Sequence, residues 1–191
     1  MLGALITIEG CEGVGKSTIA KFVCEYLTER GKKVVATREP GGTPVGEAIR
    51  NILVSNDMDA ATELHLVRAA RECHIHQVIL PAVRRGEIVV CDRYIDSTFA
   101  YQSAVERPVI MPMLTILLDA RTSVSMQRIR ERSNNNCFDM RSEIFHKEVR
   151  QRFLMRHTRE PDRIKLVDAE LPLHEVKKRV VEVVEGFFVQ L

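Results

Sequence analysis

Short apolar runs recur along the chain, and segments with helical spacing of apolar residues separate them. The runs are Leu5–Ile8, Lys33–Thr37, Glu87–Asp92, Leu114–Asp119 and Ile164–Asp168. Apolar residues follow one another in these runs, as in parallel strands that are covered on both faces. Their alternation with helices predicts a doubly wound α/β fold, in which a five-stranded parallel sheet is flanked by helices. Ligands of such a sheet bind beyond the carboxyl ends of its strands.

The longest helical pattern covers residues 60–85 and predicts one continuous helix. Its apolar stripe consists of Leu64, Val67, Ile75, Val78, Ile79 and Ala82. Arg71 falls on the same stripe, one turn after Val67. A guanidinium on a buried face needs a partner. Arg71 therefore either projects into a pocket and meets a ligand or forms an internal salt bridge.

The composition is that of an ordinary globular chain. The 191 residues are 45% hydrophobic and 28% charged, with a net charge of +2. We expect a single domain over residues 1–191 and neither a nucleic-acid nor a membrane partner. The five cysteines form no C-x-x-C pair, and the first residues lack the pattern of a signal peptide. Both observations favour reduced thiols and a cytoplasmic location.

The most informative polar segment follows the first predicted strand. Residues Gly10-Cys11-Glu12-Gly13-Val14-Gly15-Lys16-Ser17 match G-x-x-x-x-G-K-[ST], and the next residues predict a helix. The glycines let backbone N–H groups turn toward phosphate oxygens at the positive end of that helix. Lys16 adds a charge for the outer phosphates, and the Ser17 hydroxyl can ligate Mg²⁺. The segment therefore predicts a phosphate-binding loop.

Further charged residues lie at the predicted ligand edge of the sheet. Asp92 and Arg93 stand where the third strand ends, and residues 38–44 form a polar R-E-P-G-G-T-P turn after the second. Asp92 can hold Mg²⁺ through water, and Arg93 can fork onto a phosphate. The alternative is an N-cap aspartate followed by a surface arginine. Glu12 places an anion beside bound phosphates, so we expect it to hydrogen-bond a neutral group such as a sugar hydroxyl.

In their order along the chain, these segments resemble thymidylate kinases. The resemblance rests on Ile8–Ser17, Thr37–Thr43, Ala69–Arg71, Asp92–Gln102 and Val167–Ala169, and it extends over nearly the whole chain. It implies a P-loop kinase fold with a small lid near residues 128–141. It further implies phosphorylation of dTMP to dTDP by ATP and Mg²⁺ in dTTP biosynthesis, with a homodimer as the assembly.

The resemblance also implies a role for particular residues. The implied ATP-binding residues are Gly10, Cys11, Glu12, Gly13, Val14, Gly15, Lys16, Ser17 and Thr18. The implied dTMP-binding residues are Glu12, Arg38, Arg50, Val67, Arg71, Arg93, Ser97, Thr98, Tyr101 and Gln102. The implied catalytic residues are Lys16, Glu12 and Arg93, together with Arg132 and Arg141 from the lid, where Arg128 and Arg130 are further candidates. Ser17 and Asp92 are expected to hold the metal.

For four of the implied dTMP-binding residues, the resemblance also implies which part of dTMP they contact. Glu12 would bind the 3′-hydroxyl of the acceptor, and Arg93 its phosphate. Arg71 would meet the thymine, and Tyr101 would crowd the 2′ position.

The chain departs from the family pattern at three positions. A phenylalanine that stacks on thymine is usual one turn before the base-binding arginine, but this chain has Val67. The stacking contact is therefore missing unless another ring, such as Phe99, replaces it. The usual aspartate-arginine pair of the lid reads Asp139-Met140-Arg141. The stretch from Gln102 to the fourth predicted strand is shorter than is usual in the family, and it lacks a glycine-arginine pair that is usually found there.

Gly13 indicates which branch of the family the chain resembles. One branch carries a catalytic arginine at this position, so its absence implies the bacterial branch, with arginines from the lid.

Two other functions remain open on the sequence alone. One is a different small-molecule kinase, acting on a deoxynucleoside or on another nucleoside monophosphate. The other is a non-enzymatic nucleotide switch. The chain has no N-K-x-D motif for binding guanine. At the end of its third predicted strand it reads Asp92-Arg93-Tyr94-Ile95, where a GTPase switch would read D-x-x-G. Both observations disfavour the switch.

Overall fold

The computed structural model describes residues 3–131 and 137–189. Within them, parallel strands form one five-stranded sheet in the order β2-β3-β1-β4-β5. The strands are β1 (Ala4–Glu9), β2 (Val34–Arg38), β3 (Ile88–Asp92), β4 (Leu114–Asp119) and β5 (Ile164–Asp168). Each lies within one residue of a predicted run. The predicted five-stranded parallel α/β fold is confirmed.

Helices cover both faces of the sheet, which explains why the strands are continuously apolar. They are α1 (Lys16–Glu29), α2 (Pro44–Ser55), α3 (Ala60–His74), α4 (Leu80–Arg84), α5 (Ile95–Gln102), α6 (Thr122–Arg130), α7 (Glu143–Arg159) and α8 (Leu173–Val189). Successive residues of β1 enter different cores. Ile6 packs with side chains of α1, α7 and α8, whereas Leu5 packs with Ile75 and Ile79. None of the helices in the described ranges is long and apolar enough to cross a membrane.

The helix predicted over residues 60–85 is present, but a π-helical turn over Ile75–Ile79 separates α3 from α4. Pro81 explains the interruption, because proline has no N–H and its ring needs room against the preceding turn. The predicted buried stripe is correct at Ile75, Ile79 and Ala82. It is wrong at its start, where Leu64 and Val67 are only half-buried.

Polar residues take most of the buried positions in the first half of this helix. Glu63, Arg71 and His74 are buried there. Ala70 is also buried, and it packs with Ile49 and Leu53 of α2. The inward face of α3 therefore belongs partly to a polar site and partly to the apolar core.

The carboxyl ends of three neighbouring strands, β2, β3 and β1, bring the predicted site segments together. Residues 10–15 leave β1 beside the end of β3, because Ile8 pairs with Asp92 in the parallel register. Arg38 at the end of β2 pairs with the same aspartate. The phosphate loop, the R-E-P-G-G turn and the Asp92-Arg93 pair thus meet at one edge of the sheet.

Candidate active site

The phosphate loop passes close to α6 at Gly13. Its φ is +77°, and a Cβ atom built there would lie 2.4 Å from the carbonyl oxygen of Ser125. A backbone contact that short leaves no room for a side chain. An arginine therefore cannot stand at this position in this chain, and positive charge for the site must come from elsewhere.

Lys16 begins α1 and lies folded under the loop. Its side chain is buried, and its ammonium donates to the carbonyl oxygen of Cys11. Burial, followed by the nearby charge of Arg93, lowers the pKa of Lys16 to about 8. The loop therefore already holds a desolvated cation next to its turned backbone, which is the arrangement that attracts a phosphate anion.

Ser17 and Asp92 fit the requirements of a magnesium site. The Ser17 hydroxyl donates to Oδ2 of Asp92 at 2.6 Å, while Oδ1 of Asp92 is buried without a hydrogen-bond partner. Mg²⁺ prefers oxygen ligands and is usually held by few protein groups together with water and substrate phosphates. A hydroxyl and a carboxylate with one buried, unbonded oxygen, beside a phosphate loop, are such a donor set.

Arg93 follows Asp92 in a left-handed conformation, with φ of +73°. This turn directs its guanidinium back across the phosphate loop. It donates to the Gly10 carbonyl at 3.1 Å, the Ser97 hydroxyl at 3.0 Å, a Glu12 carboxylate oxygen at 2.7 Å and the Tyr101 hydroxyl at 3.3 Å. The guanidinium is therefore held between β1, the loop and α5. The alternative of a surface arginine is wrong.

Glu12 and Tyr101 form the other side of this cluster. The Tyr101 hydroxyl donates to Glu12, and its ring centroid lies 5.1 Å from the Arg93 guanidinium. Burial alone would raise the pKa of Glu12, but the charge of Arg93, followed by that of Lys16, lowers it below its ordinary value. Glu12 is therefore an ionised hydrogen-bond acceptor at the cavity wall.

Glu9 is a site residue that the sequence analysis missed. Its carboxyl group is fully buried and accepts three hydrogen bonds from the start of α5. The backbone N–H groups of Tyr94 and Ser97 both donate to Oε1, at 2.7 and 3.1 Å, and the Ser97 hydroxyl donates to Oε2 at 2.6 Å. Burial, followed by the charge of Asp96, raises the pKa of Glu9 above its ordinary value. Glu9 thus fixes the turn that aims Arg93.

We expect Glu9→Ala to destabilise the protein by at least about 2 kcal/mol, because two buried N–H groups lose their acceptor. Glu9→Gln should be tolerated, since one amide oxygen can accept both N–H groups and the amide nitrogen can donate to Ser97. Urea unfolding of the two variants and the wild type measures the difference. If both variants lost the same free energy of unfolding, the charge of Glu9, and not its hydrogen bonds, would be responsible for the stabilisation.

Arg71 forms an internal salt bridge and also faces the cavity, so both alternatives from the sequence apply to it. Its Nε donates to Oε2 of the buried Glu39 at 2.7 Å, while its Nη1 is buried without a hydrogen-bond partner. His74 lies 2.9 Å from the other oxygen of Glu39, and Thr37 bonds the far side of its ring at 2.6 Å. Nη1 of Arg71 also lies 3.7 Å from Oε2 of Glu106, beyond hydrogen-bond distance. The Glu39 carboxylate therefore positions Arg71, and Nη1 can still donate a hydrogen bond to a ligand.

A cavity of about 500 Å³ connects these groups. The predicted site residues that line it are Glu12, Gly13, Gly15, Lys16, Ser17, Thr18, Arg38, Arg50, Val67, Arg71, Asp92, Arg93, Ser97, Thr98, Tyr101 and Gln102. The other predicted loop residues, Gly10, Cys11 and Val14, are buried and do not line the cavity. The Thr98 hydroxyl is buried without a partner, like Nη1 of Arg71. Such a volume is typical of sites for small ligands.

Three arginine side chains, Arg38, Arg50 and Arg93, line the cavity. Arg50 donates to the carbonyl of Pro40 at 3.1 Å, and Arg38 pairs with Glu47 at 2.7 Å. Burial, followed by the charges of Arg38 and Arg93, lowers the pKa of Arg50. Three guanidinium groups that repel one another in this way favour an anionic ligand between them.

The predicted lid arginines differ in their placement. Arg128 lines the cavity, and its guanidinium donates to the carbonyl of Ala169 at 3.0 Å. Arg141 is not among the lining residues, because Glu63 and the rings of Phe138 and Phe145 hold its guanidinium. Arg130 is exposed. Arg132 lies outside the described residues. Arg128 is therefore the described lid arginine with access to the loop.

Buried carboxylates are what the sequence analysis missed. Glu39 and Glu63 each hold an arginine, and Gln102 donates to Glu63 at 2.9 Å. A glutamate in a polar segment is typical of the surface. The one available signal was that Glu9 and Glu39 stand at the carboxyl ends of predicted strands.

Comparison with known proteins agrees with this geometry. The model of a family described as thymidylate kinase matches residues 8–180. A thymidylate kinase of Vesicomyosocius okutanii is 40% identical, with 96% of this chain and 98% of the relative covered. One of Methylococcus capsulatus is 41% identical, with 96% of each covered. The solved structure of thymidylate kinase from Ehrlichia chaffeensis superimposes with a TM-score of 0.76 at 28% identity, covering 96% of this chain and 99% of that one.

Proposed function

This chain belongs to the thymidylate kinase family, and we propose that it catalyses transfer of the γ-phosphoryl group of ATP to dTMP, giving dTDP. One observation carries the proposal. A single cavity is lined by the phosphate loop, by Arg38, Arg50 and Arg93, and by Arg71 and Thr98, each of which has a buried polar atom without a hydrogen-bond partner. A phosphate donor and a nucleotide acceptor can occupy such a cavity together. The family match does not favour a nucleoside kinase or a nucleotide switch.

On the donor side, the loop backbone and Lys16 would hold the β- and γ-phosphates of ATP. Lys16 would exchange its bond to the Cys11 carbonyl for phosphate oxygens. Ser17 and Asp92 would hold Mg²⁺, which supplies charge neutralisation and orientation of the phosphates when bound. Arg128 would neutralise charge on the transferred group, and Arg132 and Arg141 remain predicted partners in that role.

On the acceptor side, Arg93 would bind the 5′-phosphate of dTMP, with Arg38 and Arg50 nearby. Glu12 would accept from the 3′-hydroxyl, which is the neutral donor that its position beside phosphates calls for. Tyr101, held against Glu12, would crowd the 2′ position and favour deoxyribose. Arg71 and Thr98 would meet the edge of the thymine ring.

Phosphoryl transfer between two bound nucleotides needs alignment and charge neutralisation more than covalent chemistry. The buried hydrogen bonds of Glu9, Glu39 and Glu12 would hold the arginines in place before substrate arrives. Such preorganisation stabilises charge that spreads over the transferred oxygens, at little cost in reorganisation.

We also propose that the enzyme acts in the cytoplasm as a homodimer. The five cysteines are all free thiols, as expected in a reducing compartment. Val45 and Ile52, both about half exposed, lie seven residues apart on one face of α2 and would meet a second copy. Sedimentation at micromolar concentration should give twice the chain mass of 21.7 kDa. A species of 21.7 kDa would contradict the dimer.

An acceptor panel tests the proposed activity. ADP formation from ATP is coupled to a spectrophotometric readout, with dTMP, dUMP, thymidine or AMP as the second substrate. We expect dTMP to be the best acceptor and dUMP to react more slowly. Thymidine and AMP should give only background rates. A preference for thymidine would identify a nucleoside kinase instead.

A further inference from the structure

An aromatic side chain that the site predictions did not include lines the cavity beside Val67. This residue, Phe138, lies in a segment of the predicted lid, between α6 and α7. Two contacts fix that segment to α2, since the Cys137 N–H donates to the Val54 carbonyl at 3.3 Å and its thiol to the Leu53 carbonyl at 3.0 Å. Phe138 therefore belongs to the described wall of the cavity.

The orientation of the Phe138 ring is set by its neighbours. The Arg141 guanidinium lies 4.6 Å from the ring centroid, and the ring of Tyr101 stands nearly perpendicular to it, at 85° and 6.1 Å. Phe138 and Val67 both pack against the apolar cluster of Ile49, Leu53 and Ala70. The two side chains thus share one part of the cavity wall, and only Phe138 has a flat π face.

We propose that Phe138 supplies the aromatic contact to the thymine base that Val67 cannot make. The inference rests on the proposed function, because it requires a base at this end of the cavity. Arg71 and Thr98 offer hydrogen bonds to the edge of the ring, while a planar side chain is needed for its face. The stacking residue has in this chain moved from α3 to the predicted lid.

Other phenylalanines do not meet these conditions. Phe99, the replacement expected from the sequence, is not among the lining residues, and its ring lies 5.4 Å from the Arg156 guanidinium. Phe145 contacts the same two partners as Phe138, with Tyr101 at 6.0 Å and Arg141 at 4.7 Å, but it does not line the cavity. Phe145 is therefore a matched control.

The first test compares Phe138→Leu with Phe145→Leu. Calorimetric titration with dTMP should show about tenfold weaker binding for Phe138→Leu, which is the lower part of the range for base–aromatic stacking. Binding of deoxyribose 5-phosphate, which has no base, should change less than about twofold. Phe145→Leu should bind both compounds like the wild type. A Phe138→Leu variant that loses affinity for both compounds equally would assign Phe138 a structural role and overturn the proposal.

A second test does not depend on the leucine variants. The chain contains no tryptophan, so Phe138→Trp introduces a single fluorescent reporter. Stacking of thymine should quench its emission saturably on addition of dTMP, but not of deoxyribose 5-phosphate. Phe145→Trp serves as the control and should respond to neither. An unquenched Phe138→Trp that still binds dTMP would contradict the proposal.

Val67 supplies the complementary variant. Val67→Phe should restore dTMP binding when it is combined with Phe138→Leu. Introduced alone into the wild type, it should increase the affinity for dTMP by less than about twofold. Additive effects of the two changes would contradict a shared role. Phosphorylation of dTMP by the wild type separates this question from the proposed function, because the enzyme can use dTMP whether or not Phe138 stacks on it.

Discussion

Lys16→Ala should lower the turnover number by about 10²–10³ while the protein stays folded. Oriented charges that act on the transition state are worth that much when they are removed. Lys16 is the cation of the phosphate loop, and its ammonium already lies within the loop against the Cys11 carbonyl. Folding should survive, because the variant deletes a buried charge whose depressed pKa reflects its desolvation. Steady-state kinetics with saturating dTMP, together with a melting curve, measure both effects.

Lys21→Ala is the matched control for this variant. Lys21 lies on the same helix and is exposed, and its ion-pair partner among the described residues is Glu25 at 3.8 Å. Its loss should leave turnover within about twofold, as for most surface substitutions. If Lys16→Ala kept more than about a tenth of the wild-type turnover, the phosphate loop would not be the site of transfer.

Arg93→Ala should raise the KM for dTMP by about 10- to 100-fold and change the KM for ATP much less. Charge-assisted hydrogen bonds of a guanidinium to a phosphate contribute about 1.5–3 kcal/mol. Arg93 also balances the buried carboxylate of Glu12 at 2.7 Å. The variant should therefore lose stability as well, since it leaves that charge without its partner.

Arg85→Ala provides the comparison, because Arg85 is exposed and its ion pair within residues 3–131 and 137–189 is with Glu87, away from the cavity. It should change neither KM. Initial rates with each substrate varied in turn separate the two constants. Equal increases in KM for ATP and dTMP would place Arg93 on the donor side or give it a purely structural role.

The strands were predictable because burial on both faces imposes a continuous apolar run, as in Leu114–Asp119. The phosphate loop was predictable for a similar reason, since backbone that surrounds phosphate requires glycine at fixed positions. The π-helical turn at Ile75–Ile79 was not predicted, although Pro81 marked the place where a regular helix must adjust. Hydrophobic spacing alone does not distinguish the two kinds of turn.

The polar network was harder to predict, because its partners are far apart in the sequence. Whether Arg71 meets a carboxylate or a ligand depends on Glu39, which lies 32 residues earlier, directly after β2. Glu9 and Ser97 are separated by 88 residues. A sequence read in short windows shows each of these residues as an isolated polar side chain. Their pairing follows only from the strand order of the sheet.

Phe138 illustrates the same point for the acceptor site. The substitution of valine at position 67 was evident in the sequence, but the identity of the compensating ring was not. Phe99 was nearer in sequence to the predicted binding residues, whereas Phe138 packs against the same apolar cluster as Val67. Hydrogen bonds from Cys137 to α2 hold this part of the predicted lid there.

Transfer of label from [γ-³²P]ATP is the most direct test of the central claim. Wild-type protein is mixed with labelled ATP, Mg²⁺ and dTMP, and the products are separated by thin-layer chromatography after a single turnover. The account predicts that the label appears in dTDP, with none bound to protein, and that Lys16→Ala slows its appearance by about 10²–10³. Label that appears only as inorganic phosphate, with dTMP unchanged, would contradict it.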